Sequence, residues 1–224
     1  MAGEWLTYSL SDFLLFSPRT YYRLFELYNR AIWPGQFLAM ALGFTILVLL
    51  YRTDSRRNRA IAAILAACWL WVAWAYLLGR YDTINWTARY LAAGFALQAL
   101  LLAWTGLARD RLTFRPGMDP ISRAGVALLL FALVLQPQFG PLVGRAWAQV
   151  ELFGTTPDPT AVATLGLLLT TERTPWELLA IPLLWCAVSG ATLWTMGSPD
   201  ALVTPAAGLL ASALATWCAL VRPR

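Results

Sequence analysis

Leu152–Trp176, LFGTTPDPTAVATLGLLLTTERTPW, is the stretch on which the fold turns. Its apolar part, Pro159 to Thr171, has 13 residues, about 20 Å of helix at a rise of roughly 1.5 Å per residue. A bilayer's hydrocarbon core is about 30 Å thick and takes about 20 residues to cross. The segment is therefore a short crossing, a half-helix lining a cavity, or a dip shielded from lipid. Which of these it is decides whether the chain has a candidate solute site.

The surroundings are unambiguous. Of 224 residues, 59% are hydrophobic and 13% charged, far outside the balance of a soluble domain. Twelve tryptophans and ten phenylalanines add aromatic belts to that apolar mass. The composition predicts an all-α integral membrane protein. Histidine is absent, which removes the commonest ligand of haem, di-iron, zinc and copper sites. All 17 basic residues are arginine, so no lysine Schiff base can form. Cys68, Cys186 and Cys218 lie in separate apolar runs with no CxxC pair and read as small buried hydrophobes. No metal and no cofactor is expected. The net charge of +5 does not indicate nucleic acid, because the arginines gather in short loops. The first 30 residues lack the basic start and the cleavage site of a signal peptide.

Apolar runs read against turn residues give Trp33–Tyr51, Ala60–Leu78, Trp86–Leu107, Ala124–Val143, the short segment, Trp176–Met196 and Ala201–Val221. Arg52–Arg59 and Ala108–Arg123 each carry four arginines, and the tail adds two. The alternate loops, RYDTIN and GSPD, carry almost no positive charge. The excess of arginine on cytoplasmic loops places both arginine loops and the C-terminus inside, with the N-terminal segment outside. The short segment must then run from outside to inside. Parity makes it a crossing, the fifth of seven.

Asp158 suits a helix N-cap and Pro159 the first helical position. Glycine and two prolines break the ladder in GTTPDP. One reading is a broken helix: Trp147–Phe153 enters, Gly154–Pro157 unwinds, and the helix resumes at Asp158. Irregular backbone at membrane depth requires burial in protein or a wet cavity. The other reading makes GTTPDP an external loop before a short tilted helix in a locally thinned bilayer.

Residues 1–32 form a separate interfacial segment ahead of a transmembrane domain over 33–224. In SPRTYYRLFELYNR, Ser17 caps, Pro18 opens the helix, and Tyr21, Leu24, Phe25 and Tyr28 share one face. Such a helix lies in the outer interface, or folds over the mouth of a cavity as a lid. EWLTYSLSDFLLF before it is similar and more apolar. No internal repeat is visible, which counts modestly against the transporters built on inverted symmetry.

Ionisable groups within spans are costly and are site candidates for that reason. Arg89 lies one turn into its span and either snorkels or turns inward to an acid. Arg80 and Asp82 suggest a surface pair. Gln136 and Gln138 bracket Pro137 and either satisfy the carbonyl that the proline frees or line the outer wall of a polar cavity. Glu151 and Asp158 flank the break and could hold a proton or cation there, or neutralise Arg89 or Arg145. The binding or transport set is thus Glu151, Asp158, Gln136, Gln138 and Arg89, with no catalytic residue assigned. An enzyme would need carboxylate chemistry at the outer face, and its other usual sets are missing.

At YSLSDFLLFSPRTYYRLFELYNRAIWP and at PDPTAVATLGLLL the chain resembles a bacterial multi-span membrane family of unknown function. The resemblance implies the bacterial cytoplasmic membrane, and it implies no substrate. Two functions fit the residues. One is a small-solute or ion channel or carrier with its path beside the broken helix. The other is a non-transporting accessory or assembly subunit whose partners, besides the lipid bilayer, are another membrane protein or further copies of itself. Small-residue patterns at Gly190 and Ala207–Ala211 suit helix packing against a partner.

Overall fold

The short helix lies at the centre of the molecule, and none of its residues is exposed. The computed structural model describes residues 16–221 apart from Ser55 and Thr174; the EWLTYSLSDFLLF reading falls almost entirely outside these residues. The helices in order are α1 (Pro18–Ala31), α2 (Gly35–Leu50), α3 (Arg57–Trp71), α4 (Ala88–Ala103), α5 (Pro120–Leu130), α6 (Gln136–Leu142), α7 (Pro157–Leu169), α8 (Trp176–Thr195) and α9 (Val203–Val221). Wider π-helical turns extend α3 through Val72–Leu78 and α4 through Trp104–Ala108, and join α5 to α6 through Phe131–Leu135. Among the described residues the only β pairing is an isolated bridge, Phe114 to Thr171.

Five helical stretches are long and apolar enough to cross a membrane: Arg57–Thr83, Ala88–Ala108, Pro120–Leu142, Trp176–Thr195 and Val203–Leu220. A sixth results if α1 and α2, which meet at 90°, are taken together.

All 13 residues of α7 are buried, packed among α3, α5, α8 and α9. Two glycines allow its closest approach. A Cβ on Gly125 of α5 would stand 2.5 Å from the Gly166 carbonyl oxygen, and one on Gly166 would stand 2.6 Å from that of Gly125. The threonines on α7 turn back to its own backbone. Thr160 donates to the Thr156 carbonyl and Thr164 to that of Thr160, and Thr164 also accepts the Trp69 indole N–H at 2.9 Å. This is how a helix with threonines in a dry interior leaves no hydroxyl unpaired.

The C-terminal end of α7 meets both arginine loops. Arg115 N donates to the Thr170 carbonyl and Glu172 N to that of Thr113. Arg57 reaches the Phe114 carbonyl at 2.9 Å, and Asn58 accepts the Phe114 N–H. The loop ahead of α7, the turn between α8 and α9, and α1 gather at the opposite end.

Two expectations are corrected here, and one pair of alternatives is decided. Gly154–Pro157 is buried, as the reading with a break inside the protein requires and the external-loop reading does not. The segment before it is not a half-helix: a single 3₁₀ turn, Trp147–Gln149, gives way to extended backbone at Val150. Hydrogen bonds from Asn29 hold that extended chain in place of an internal ladder. Asp158 is not the N-cap; Thr156 is, without a side-chain bond, and Pro157 opens the helix. The Asp158 carboxylate is drawn away by donors on other helices.

Helix α1 begins as expected, with Ser17 Oγ accepting the Thr20 N–H and Pro18 in the first turn. Its apolar face is covered by protein. Phe25 stacks on Tyr76 at 5.2 Å, and Tyr21 meets Tyr81 edge-on.

Candidate functional site

Asp158 enters the first turn of α7 between two prolines, so the helix end can offer it few backbone amides. It lies level with Ser189, six residues before the end of α8, which puts it about 9 Å below that end at a rise of roughly 1.5 Å per residue. Side chains supply what the backbone cannot. Oδ1 accepts the Trp185 indole N–H at 2.7 Å, and Oδ2 accepts the hydroxyls of Ser189 at 2.7 Å and Thr204 at 2.9 Å. Three donors around a buried carboxylate are what such a charge requires.

The loop between α6 and α7 brings a second acid and a base. Arg145 forms an ion pair with Asp200, and its Nη1 lies 4.0 Å from Glu151. Asp200 also accepts from Ser198. The Arg145 guanidinium sits 4.7 Å over the ring of Tyr22, whose hydroxyl meets Ser198 at 2.6 Å, so α1 covers this end. Helix α1 is fastened by Tyr28, which donates to the Thr155 carbonyl at 2.9 Å, and by Asn29 on the Ala148 and Val150 carbonyls.

Between these groups is a small cavity of about 20 Å³, lined by Gln136, Arg145, Glu151, Asp158, Asp200 and Thr204 among others. That is room for one water-sized occupant. The Arg145 and Glu151 side chains remain 11% and 13% exposed, so the cavity opens to the outside by a narrow gap at most. Gln136 is buried and its Oε1 has no hydrogen-bond partner; the Arg145 Nε has none either. Three carboxylates face one guanidinium, an excess of two negative charges.

Of the five residues singled out in the sequence, Gln136, Glu151 and Asp158 line this one cavity. Gln138 is exposed on the far side of α6. Arg89 is remote: its side chain is 72% exposed and binds Asp82 through two of its nitrogens, in place of an Arg80–Asp82 pair. Asp200, Trp185, Ser189 and Thr204 were not marked by the sequence. Asp200 sits in GSPD, which reads as an ordinary turn, and a tryptophan in an apolar helix carries no sign of the acid it serves. Among the described residues no three acids, cysteines or histidines cluster closely enough to hold a metal ion.

The small-residue patterns are spent within the chain. A Cβ on Gly190 would collide with Pro205 of α9, and Ala207 and Ala211 are buried.

An all-helical chain with five or six helices apolar enough to span a membrane, closed around a buried, charged cavity, is the class that fold and site define. The chain belongs to DUF6064, a family of unknown function whose sequence profile matches residues 19–223. No curated protein and no solved structure matches it.

Proposed function

We propose that the protein is a seven-crossing carrier of a small polar solute or ion in a bacterial cytoplasmic membrane, with the cavity at the start of α7 as its binding site. The observation that carries this reading is a charged cluster held deep in an apolar bundle. Such groups cost several kcal/mol to bury and rarely stay without use. An open channel fits less well. Beyond Asp158 the residues of α7 are buried on every side, and its threonines bond to its own carbonyls rather than to a path. A carrier that exposes one site alternately to each side needs no continuous polar lining. Helix α1 then lies along the outer interface as a cover over the site, and the arginine loops face the cytoplasm.

The accessory-subunit reading loses one support, because the small residues that would seat a partner helix already seat α8 against α9.

Purified protein in vesicles loaded with a pH-sensitive dye, given gradients of protons, sodium or ammonium, tests the proposal. Saturable flux that is lost in Asp158→Asn is expected. Flux no greater than in protein-free vesicles for all three ions would sink the carrier reading.

A further inference from the structure

Three carboxylates line the cavity, and their surroundings differ. Asp158 accepts three hydrogen bonds and Asp200 is held by Arg145 and Ser198, so both are provided for as anions. Glu151 accepts no hydrogen bond among the described residues; its one charged partner is Arg145 Nη1, at 4.0 Å. In the same cavity Gln136 Oε1 is an acceptor with no donor, on a side chain that is 9% exposed. The cavity thus holds an amide oxygen without a donor, a carboxylate without a hydrogen bond and an unpartnered Arg145 Nε–H, with room for one water among them.

We infer that Glu151 is a proton-binding site, with Gln136 accepting the hydrogen bond of its protonated form. The inference rests on the carrier reading and names its cargo or coupling ion.

The step balances simply. A proton from the aqueous phase adds to a Glu151 carboxylate oxygen, no bond breaks, and the excess negative charge of the cluster falls from two to one. The new O–H donates to Gln136 Oε1, directly or through the single water that the cavity can hold. The other charged or titratable groups near Glu151 come from several elements. Arg145, from the loop after α6, stays cationic. Asp158 on α7 and Asp200 between α8 and α9 are each held by their own donors, and Tyr21 of α1 and the Tyr76 side chain beyond α3 lie nearby. Tyr22 lies beneath the guanidinium. A monovalent metal ion is the competing occupant. It would have to sit beside the Arg145 guanidinium, whereas a protonated carboxyl carries no charge for Arg145 to repel.

The test is infrared difference spectroscopy of the full chain in lipid nanodiscs as the pH is lowered. A carboxylic-acid C=O band should appear in the native protein and be missing from Glu151→Gln. In Gln136→Leu the band should remain, with its midpoint about one pH unit lower, a tenfold weaker uptake, because the neutral form has lost its acceptor. Should Glu151→Gln not fold, the Gln136→Leu midpoint decides alone. A band that persists unchanged in Glu151→Gln, or a midpoint unmoved in Gln136→Leu, overturns the inference. So does a melting temperature that rises with sodium chloride at fixed pH in the native protein and not in Glu151→Gln, since the occupant would then be the metal ion. The readout is independent of flux. A Glu151 band without flux retires the carrier and keeps the proton site; flux without the band does the reverse.

Discussion

Asp158 shows how one residue can hold several elements at once. Its carboxylate ties α7 to α8 through Trp185 and Ser189, and to α9 through Thr204. Asp158→Ala would strand three buried donors in an apolar interior, each costing about 1–3 kcal/mol when unpaired. The variant should lose at least about 3 kcal/mol, read as a lowered unfolding midpoint in a mild detergent, whereas Trp185→Phe, which removes one of the three bonds, should lose about 1.5–3 kcal/mol. Equal losses in the two would mean that the carboxylate does not organise the cluster. Gly154 is the second such residue. Its φ is +76°, in the left-handed region, and a Cβ there would stand 3.0 Å from Cys68 Sγ. Gly154→Ala should therefore lose about 1–2 kcal/mol from backbone strain before any clash is counted.

At the scale of the element, the question raised by α7 is how 13 residues can suffice. The helix never meets lipid along its length, so it need not match the bilayer; its neighbours do that for it. Gly125 and Gly166 allow this by letting backbones touch. Either one changed to alanine would force α5 and α7 apart, an overpacking cost of about 1–3 kcal/mol, seen as a lower unfolding midpoint and reduced yield of folded protein. The short length and the broken ladder at GTTPDP could be read in the sequence because both follow from local chemistry. So could the α1 cap, from Ser17 and Pro18. The choice between a buried and an external GTTPDP could not be made there, since it depends on α1 folding back over the loop through Tyr28 and Asn29. Nor could the sequence reveal the extended chain from Val150, whose carbonyl bonds to a side chain 121 residues earlier. The site was half legible for the same reason. Gln136, Glu151 and Asp158 stand out as polar groups in apolar runs, but Arg89 stands out equally and pairs at the surface with Asp82. Spacing within a span does not say which way a side chain turns.

For the whole molecule, sidedness follows from which pieces share an end. Arg57 and Asn58 hold Phe114, and Thr113–Arg115 pairs with Thr170–Glu172, so both arginine loops and the far end of α7 lie together. Arg57 also bonds the Leu50 carbonyl, which brings the end of α2 to the same place. The acid cluster, α1 and the 80–85 loop occupy the other end, where Tyr81 packs on Tyr21. One orientation in the membrane therefore fixes all of them, and the arginine excess favours the loop end inside. Exposed positions from the two ends separate the alternatives. In a background carrying Cys218→Ser, Thr83→Cys should react with a membrane-impermeant maleimide on intact cells, and Arg56→Cys should react only after permeabilisation. The reverse pattern would turn the protein over. The narrow gap beside Arg145 and Glu151 would then open to the cytoplasm, and Glu151 would draw its proton from that side.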